Sequence, residues 1–257
     1  MSAAATATVA QWRAVAGSVV GAAHDRDGTP GQDAFRVHVL DDEATTIVAV
    51  ADGAGSATEG GIGAAVAVDA AVDAAVVAVA GGAPPIDAAN IALDAALVAV
   101  EGAAGDSPLG DFASTLAVAV VTRSETGAAV IGDSAIVVSA AGDLEVVTGE
   151  AGEYVNETTF LTSKAFNAAR RASTVSGPID GVAVFSDGLA LLALDAATGW
   201  PHAPFFAPLF EFARSAEDSG TPDEALQSFL ASPRVRERTD DDVTLALVAW
   251  RATDADG

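Results

Sequence analysis

Five aspartates stand at the ends of apolar runs, three where a run stops and two just before one begins. Residues 45–51 pass directly into Asp52-Gly53-Ala54-Gly55-Ser56, residues 181–186 into Asp187-Gly188, and a third apolar run ends in Ile131-Gly132-Asp133-Ser134. The stretch Arg238-Thr239-Asp240-Asp241-Asp242 leads into the last apolar run, and Asp33 in Gly31-Gln32-Asp33-Ala34 precedes an early one. Singly, each has an ordinary explanation: Asp-Gly is a turn dipeptide, Asp caps helices, and acids flank solvated strand edges. Together, strand-terminal carboxylates of one sheet-based domain can converge on one rim. Clustered carboxylates repel unless a cation compensates them, and oxygen-only ligands select hard ions such as Mg²⁺ or Mn²⁺. Two such ions about 3.5–4 Å apart acidify a water and align it for in-line attack, the chemistry of phosphoryl-ester hydrolysis.

Composition narrows the alternatives. The 257 residues include 36 Asp or Glu against 12 Lys or Arg, a formal charge of -24, which argues against a nucleic-acid or anionic membrane partner. Cysteine is absent, which removes disulfide scaffolds, thiolate metal sites and every Cys-nucleophile mechanism. Hydrophobic residues at 51% and charged residues at 19% fit a folded globular chain and not an acidic tail. Residues 1–20 lack the pattern of a secretory signal. The most apolar region, 62–85, is broken by Asp69 and Asp73 before it reaches the roughly 18 uncharged residues of a membrane span. The expected setting is soluble and cytoplasmic.

The elements that must position the carboxylates follow from periodicity. Residues 15–22, 35–40 and 45–51 predict an opening strand meander. Residues 56–79 and 85–103 predict two packed antiparallel helices, the second starting at a Pro-Pro break. Strand signals return at 114–122, 128–131, 135–139 and 144–147. Residues 149–178 are polar and weakly periodic, and read as an inserted flap carrying Lys164, Arg170 and Arg171. A strand at 181–185, helices at 203–216 and 222–230 and a strand at 243–250 complete the chain. Strands in hairpin-sized groups with helices in pairs predict an α+β layered sandwich in one domain spanning 1–257.

In order along the chain, Gly31-Gln32-Asp33-Ala34, Asp52-Gly53-Ala54-Gly55-Ser56, Ser114-Thr115-Leu116, Gly132-Asp133-Ser134, Ser186-Asp187-Gly188 and Asp241-Asp242-Val243-Thr244 resemble the motifs of the metal-dependent Ser/Thr protein phosphatases of type 2C. The segment Gly152-Glu153-Tyr154-Val155-Asn156-Glu157-Thr158 is similar to one found in a bacterial branch of that family. The resemblance runs from about residue 18 to 250 and implies a four-layer α-β-β-α sandwich with two mainly antiparallel sheets. It further implies two Mn²⁺ or Mg²⁺ ions, with Asp52 bridging them, the Gly53 carbonyl on one, Asp187 and Asp241 completing the set and Asp33 acting through water. Asp133 matches the position of a third, weaker ion, or serves as a hairpin turn.

The implied reaction is direct hydrolysis of phosphoserine and phosphothreonine, with a phosphorylated protein as partner and no phosphoenzyme. Some relatives work beside a Ser/Thr kinase and a von Willebrand A-type protein. The sequence departs from many relatives in two ways. Ala54 stands where many relatives have a histidine able to protonate the leaving group, which leaves that task to a metal-bound water, another residue or none, and Asp242 replaces a frequent Asn. For the phosphate-holding base upstream of the first motif, His24 and Arg26 are both candidates. The competing reading is a catalytically weak relative that binds metal and a phosphorylated partner as a signalling adaptor.

Overall fold

A computed structural model describes residues 11–41, 44–148, 158–216 and 220–252. The chain runs β1 (Gln11–Val19), α1 (Ala22–Asp27), β2 (Asp33–Val39), β3 (Thr46–Asp52), α2 (Gly60–Ala80) and α3 (Pro85–Ala104). It continues through β4 (Leu116–Val121), β5 (Glu125–Ile131), β6 (Ala135–Ala140), β7 (Asp143–Thr148), α4 (Phe166–Ala169), β8 (Arg171–Ser176) and β9 (Ile179–Phe185). The remainder is α5 (Ala190–Ala193), α6 (Ala203–Ser215), α7 (Thr221–Leu230), α8 (Pro233–Arg236) and β10 (Val243–Arg251).

Two five-stranded sheets, ordered β1-β10-β9-β6-β7 and β2-β3-β4-β5-β8, are antiparallel at every pairing. Their central strands are apolar on both faces because both faces are covered. On β3, Ile47, Ala49 and Ala51 meet α2 and α3, while Val48 and Val50 face the second sheet. On β10, Leu245, Leu247 and Ala249 join Phe205, Phe206 and Leu226 of α6 and α7, while Ala246 and Val248 point inward. The period-two alternation thus feeds three separate cores, and the layers are helices, sheet, sheet, helices. The expected α+β four-layer sandwich is the fold observed.

Helices α2 and α3 bury mainly alanine: Ala64, Ala67, Ala71, Ala75, Ala88, Ala89, Ala92 and Ala96 are inaccessible. Small side chains let both helices lie close to the sheet. By length and composition α2 could cross a bilayer, with a mean hydropathy of 2.0. Here its Ala and Val face packs in the core, and Asp69 and Asp73 on its exposed side pair with Arg36 of β2.

Three expectations are corrected. The opening strands do not form a meander: β1 pairs with β10, whereas β2 and β3 belong to the other sheet. Helix α1 and the turn after it carry the chain across. Residues 132–134 are no hairpin turn, because β5 and β6 lie in different sheets and the segment passes between them. Within the stretch read as a flap, Arg171–Ser176 is edge strand β8, paired with β5. Its mostly exposed, polar side chains gave no apolar alternation. Residues 149–157 of that stretch, with most of the Gly152–Thr158 motif, lie outside the described residues.

Candidate active site

The two sheets end together at one rim. In the β2-β3 ladder Asp33 stands opposite Asp52, so two carboxylates meet at the end of one sheet. In the other sheet β9 and β10 are neighbours. Asp187 opens the 3-10 turn after β9, and Asp241 lies just before β10. Asp52, Asp187, Asp241, Asp133 and Gly53 all line one cleft of about 530 Å³, with His24, Gln32, Thr115, Thr158 and Phe160.

Close backbone packing fixes the two turns. A Cβ on Gly53 would strike the backbone of Gly60 and Gly61, and one on Gly188 would strike the Asp242 carbonyl. The Gly53 amide donates to the Gln32 carbonyl at 3.1 Å, and the Ala54 amide to Ala113 at 2.9 Å. Residues 53–59 therefore form a turn held on both sides, and α2 starts at Gly60, not at Ser56 as the apolar pattern suggests.

Hydroxyls outside the aspartate pattern hold the carboxylates in place. The Ser186 Oγ donates to Asp33 Oδ2 at 2.7 Å and accepts from the Thr244 amide at 3.0 Å, tying the two sheets together at the rim. Thr115 Oγ1 accepts from the Asp52 amide at 2.9 Å and lies 2.9 Å from Ser134 Oγ. Thr158 Oγ1 donates to Asp133 Oδ2 at 2.6 Å. The Ser-Asp-Gly and Ser-Thr-Leu motifs contained these residues, but their roles depend on partners 19 to 153 positions away.

Asp242, which is 2% exposed, is a strut. Its carboxylate accepts from the Gly21 amide at 2.6 Å, the Gln32 amide at 2.5 Å and the Asp33 amide at 3.4 Å, and it meets His24 Nδ1 at 3.0 Å. It joins β10 to both ends of the α1 connection. Burial opposes its charge, yet hydrogen bonds from His24, Gly21 and Gln32 hold its pKa below the usual value. The same contact raises the His24 pKa above 6.5. With Nδ1 engaged by Asp242, Nε2 is the His24 atom free to serve the cleft. Arg26 behaves differently: its side chain is exposed, donates to the Ala22 carbonyl and Asp240, and lies outside the cleft lining.

The carboxylates pay for their proximity. Burial, followed by the charges of Asp33, Asp187, Asp241 and Asp133, pushes Asp52 up to about 10. Burial likewise lifts Asp33 to about 7, against hydrogen bonds from Ser186 and Thr244, and Asp187 to about 6. Asp33 Oδ1 and Asp187 Oδ1 are buried without a hydrogen-bond partner. Among the described residues no group of three or more His, Cys, Asp or Glu stands close enough together to hold an ion. Asp52, Asp133, Asp187 and Asp241 instead line the cleft as a spread set of oxygen ligands, Asp187 with an unsatisfied oxygen. That donor set fits hard, oxygen-seeking cations and little else.

A two-sheet sandwich with an acidic, oxygen-lined cleft at its rim is an arrangement suited to phosphoryl-ester hydrolysis. Residues 20–231 match the protein phosphatase 2C family. The chain is 37% identical over 249 residues to serine/threonine-protein phosphatase 3 of Escherichia coli (strain K12), covering 93% of this chain and 98% of that protein. Its fold is similar to a serine/threonine phosphatase of S. agalactiae, with a TM-score of 0.61 at 15% identity over 93% of this chain and 99% of the other. PppA from Pseudomonas aeruginosa gives a TM-score of 0.60 at 18% identity over 94% and 99%. The chain belongs to the protein phosphatase 2C family.

Proposed function

We propose that this protein is a cytoplasmic, single-domain Ser/Thr phosphatase that hydrolyses phosphoserine and phosphothreonine in proteins with Mn²⁺ or Mg²⁺. The observation that carries this reading is the convergence of Asp52, Asp187, Asp241 and Asp133 on one cleft, with an unpartnered buried oxygen on Asp187 and another on Asp33, the residue opposite Asp52. Asp52, Asp187, Asp241 and the Gly53 carbonyl would hold two ions, Asp33 would support one through water, and Asp133 would serve a third, weaker ion. Bound there, the ions supply an activated water and neutralise charge on the transferring phosphoryl group.

The chain's own residues do the rest. Ser186 and Thr115 fix the rim from which Asp33 and Asp52 project. Asp242 orients His24, whose imidazolium presents Nε2–H to a phosphate oxygen or to the departing alkoxide. This assigns to His24 the cationic task for which Arg26, turned toward Asp240, is poorly placed. Ala54 leaves its own corner of the cleft without a proton donor. Hydrolysis of p-nitrophenyl phosphate with and without Mn²⁺ tests the reading. Metal-dependent turnover that Asp52→Asn abolishes is expected; turnover equal to that of the variant would sink it and leave the metal-binding adaptor.

A further inference from the structure

Positive charge is scarce in this chain, and almost all of it is engaged. Arg26, Arg36, Arg123, Arg170, Arg214 and Arg236 each pair with a carboxylate. Arg251 donates to the carbonyls of Arg214 and Ala216. Among the described residues, Lys164, Arg234 and Arg238 alone of the 12 cationic side chains make no hydrogen bond or ion pair. Two of these three line the same pocket. With 36 acids available to partner them, two free guanidiniums facing one cavity stand out.

The pocket, about 410 Å³, is walled by Leu191–Ala196 on one side, by His202 and Phe205 at the start of α6, and by Arg234 and Arg238 around α8. The one acid in its wall, Asp195, is already committed. It accepts from the amides of Ala197 and Thr198 and from the Thr198 hydroxyl. The balance facing the cavity is cationic.

Its position along the chain ties it to the active site. Arg238 is three residues before Asp241, so their Cα atoms are at most about 11 Å apart, and Leu191 is four residues after Asp187, at most about 14 Å. The segments that carry two carboxylates of the cleft therefore continue directly into the two walls of this pocket. An extended peptide advances about 3.3 Å per residue. A substrate with its phosphorylated residue in the cleft would bring a side chain within about four residues of it to the pocket that Arg234 and Arg238 line. Arg234, Pro204 and Phe205 also border an apolar cavity between α6 and α7, lined by Leu209, Leu226 and Phe229.

We infer that Arg234 and Arg238 form an anion subsite that docks an acidic side chain, or a second phosphorylated one, within about four residues of the phosphoresidue being hydrolysed. The inference rests on the phosphatase reading and deepens it: the substrate class becomes phosphoproteins with acidic flanks. An apolar residue beside the acid would occupy the neighbouring α6-α7 cavity. The subsite gives an anionic substrate a local cationic foothold on a strongly anionic protein.

The test compares three phosphoserine peptides that differ only in the flanking positions: Ala, Glu or a second phosphoserine. Wild type, R234A/R238A and R234K/R238K are assayed for peptide turnover in Mn²⁺, normalised to p-nitrophenyl phosphate. Wild type should favour the acidic peptides by about fivefold to tenfold in kcat/KM, through KM, as expected for two exposed charge contacts. The preference should vanish in R234A/R238A and return in large part in the Lys variant. Preference for the doubly phosphorylated over the Glu peptide identifies a phosphate pocket, and equal preference a general carboxylate site. Absence of any preference in wild type, or its persistence in R234A/R238A, overturns the subsite. Anisotropy of the labelled Glu peptide separates the two readings: Arg-dependent affinity without p-nitrophenyl phosphate turnover leaves the subsite standing and fells the phosphatase.

Discussion

Removing one carboxylate from the cleft should stabilise the metal-free protein. Asp33, Asp52 and Asp187 each have a folded pKa above the ordinary 3.8, at about 7, about 10 and about 6. For a carboxyl raised in this way the favourable contribution is complete below about pH 4 and is lost as pH rises through the folded value. The metal-free protein therefore weakens from about pH 4 upward. Between about pH 4 and 10 the folded Asp52 keeps a proton that the unfolded chain has lost. Asp52→Asn removes that linkage, and its advantage over wild type should grow by about 1.4 kcal/mol per pH unit. From pH 5.5 to 8 the gap widens by about 3 kcal/mol, or roughly 6–12 °C in Tm at 2–4 °C per kcal/mol for a chain of this size. Thermal melts in EDTA at the two pH values measure it. In Mn²⁺ at about a hundred times Kd, wild type should gain about 2.7 kcal/mol and the variant almost nothing, which narrows the gap between them. Parallel Tm–pH curves in EDTA would refute the claim that burial and mutual repulsion strain these carboxylates.

Four further outcomes follow from individual contacts. Ser186→Ala leaves Asp33 Oδ2 and the Thr244 amide without their shared partner, so it should cost about 1–3 kcal/mol in urea unfolding and weaken Mn²⁺ binding by calorimetry. Asp242→Asn removes the largest cause of the His24 shift, and the His24 pKa, followed by NMR, should fall back toward 6.5. His24→Gln should lower kcat by about 10²-fold, within the range of a lost general acid, and flatten the alkaline limb of the pH–rate profile. Gly188→Ala drives a methyl into the Asp242 carbonyl and should either abolish soluble expression or depress Mn²⁺ affinity more than Tm.

The strand ends were legible because the apolar runs are bounded by Asp-Gly, Gly-Asp or Asp-Asp, and acids at the ends of strands in a two-sided core have few places to go. Hence the cleft aspartates were readable as a set, although nothing local said that Asp33 would stand opposite Asp52. What stayed hidden was set by long-range pairing. The first strand's partner is the last strand, some 230 residues away, so the early runs look like a meander only because they are adjacent in sequence. Strand β8 was hidden for the opposite reason: an edge strand with exposed polar side chains carries no burial signal. Arg26 looked like a phosphate holder from proximity to the first motif, but α1 turns it toward Asp240 while His24, two residues earlier, faces the cleft.

The charge of -24 acquires a division of labour from this geometry. The acids at the rim cannot all ionise together in the folded chain, so bound cations would convert the most unfavourable part of the charge into the reactive part. Elsewhere, acids on exposed surface pair with most of the arginines: Asp69 and Asp73 hold Arg36, Asp94 holds Arg170, and Asp25 holds Arg236. A phosphorylated substrate approaching such a surface meets repulsion except where cations are left uncommitted. Among the described residues those places include the Arg234–Arg238 pocket and, once cations are bound there, the acidic cleft reached by the same two segments. Their adjacency makes the sparse positive charge a matter of placement: a few free cations beside the cleft can select acidic-flanked phosphosites, while the surrounding negative field turns away anions that offer nothing to either site. Raising the ionic strength should then weaken both effects at once, narrowing the preference between acidic and neutral peptides as it relaxes the general repulsion.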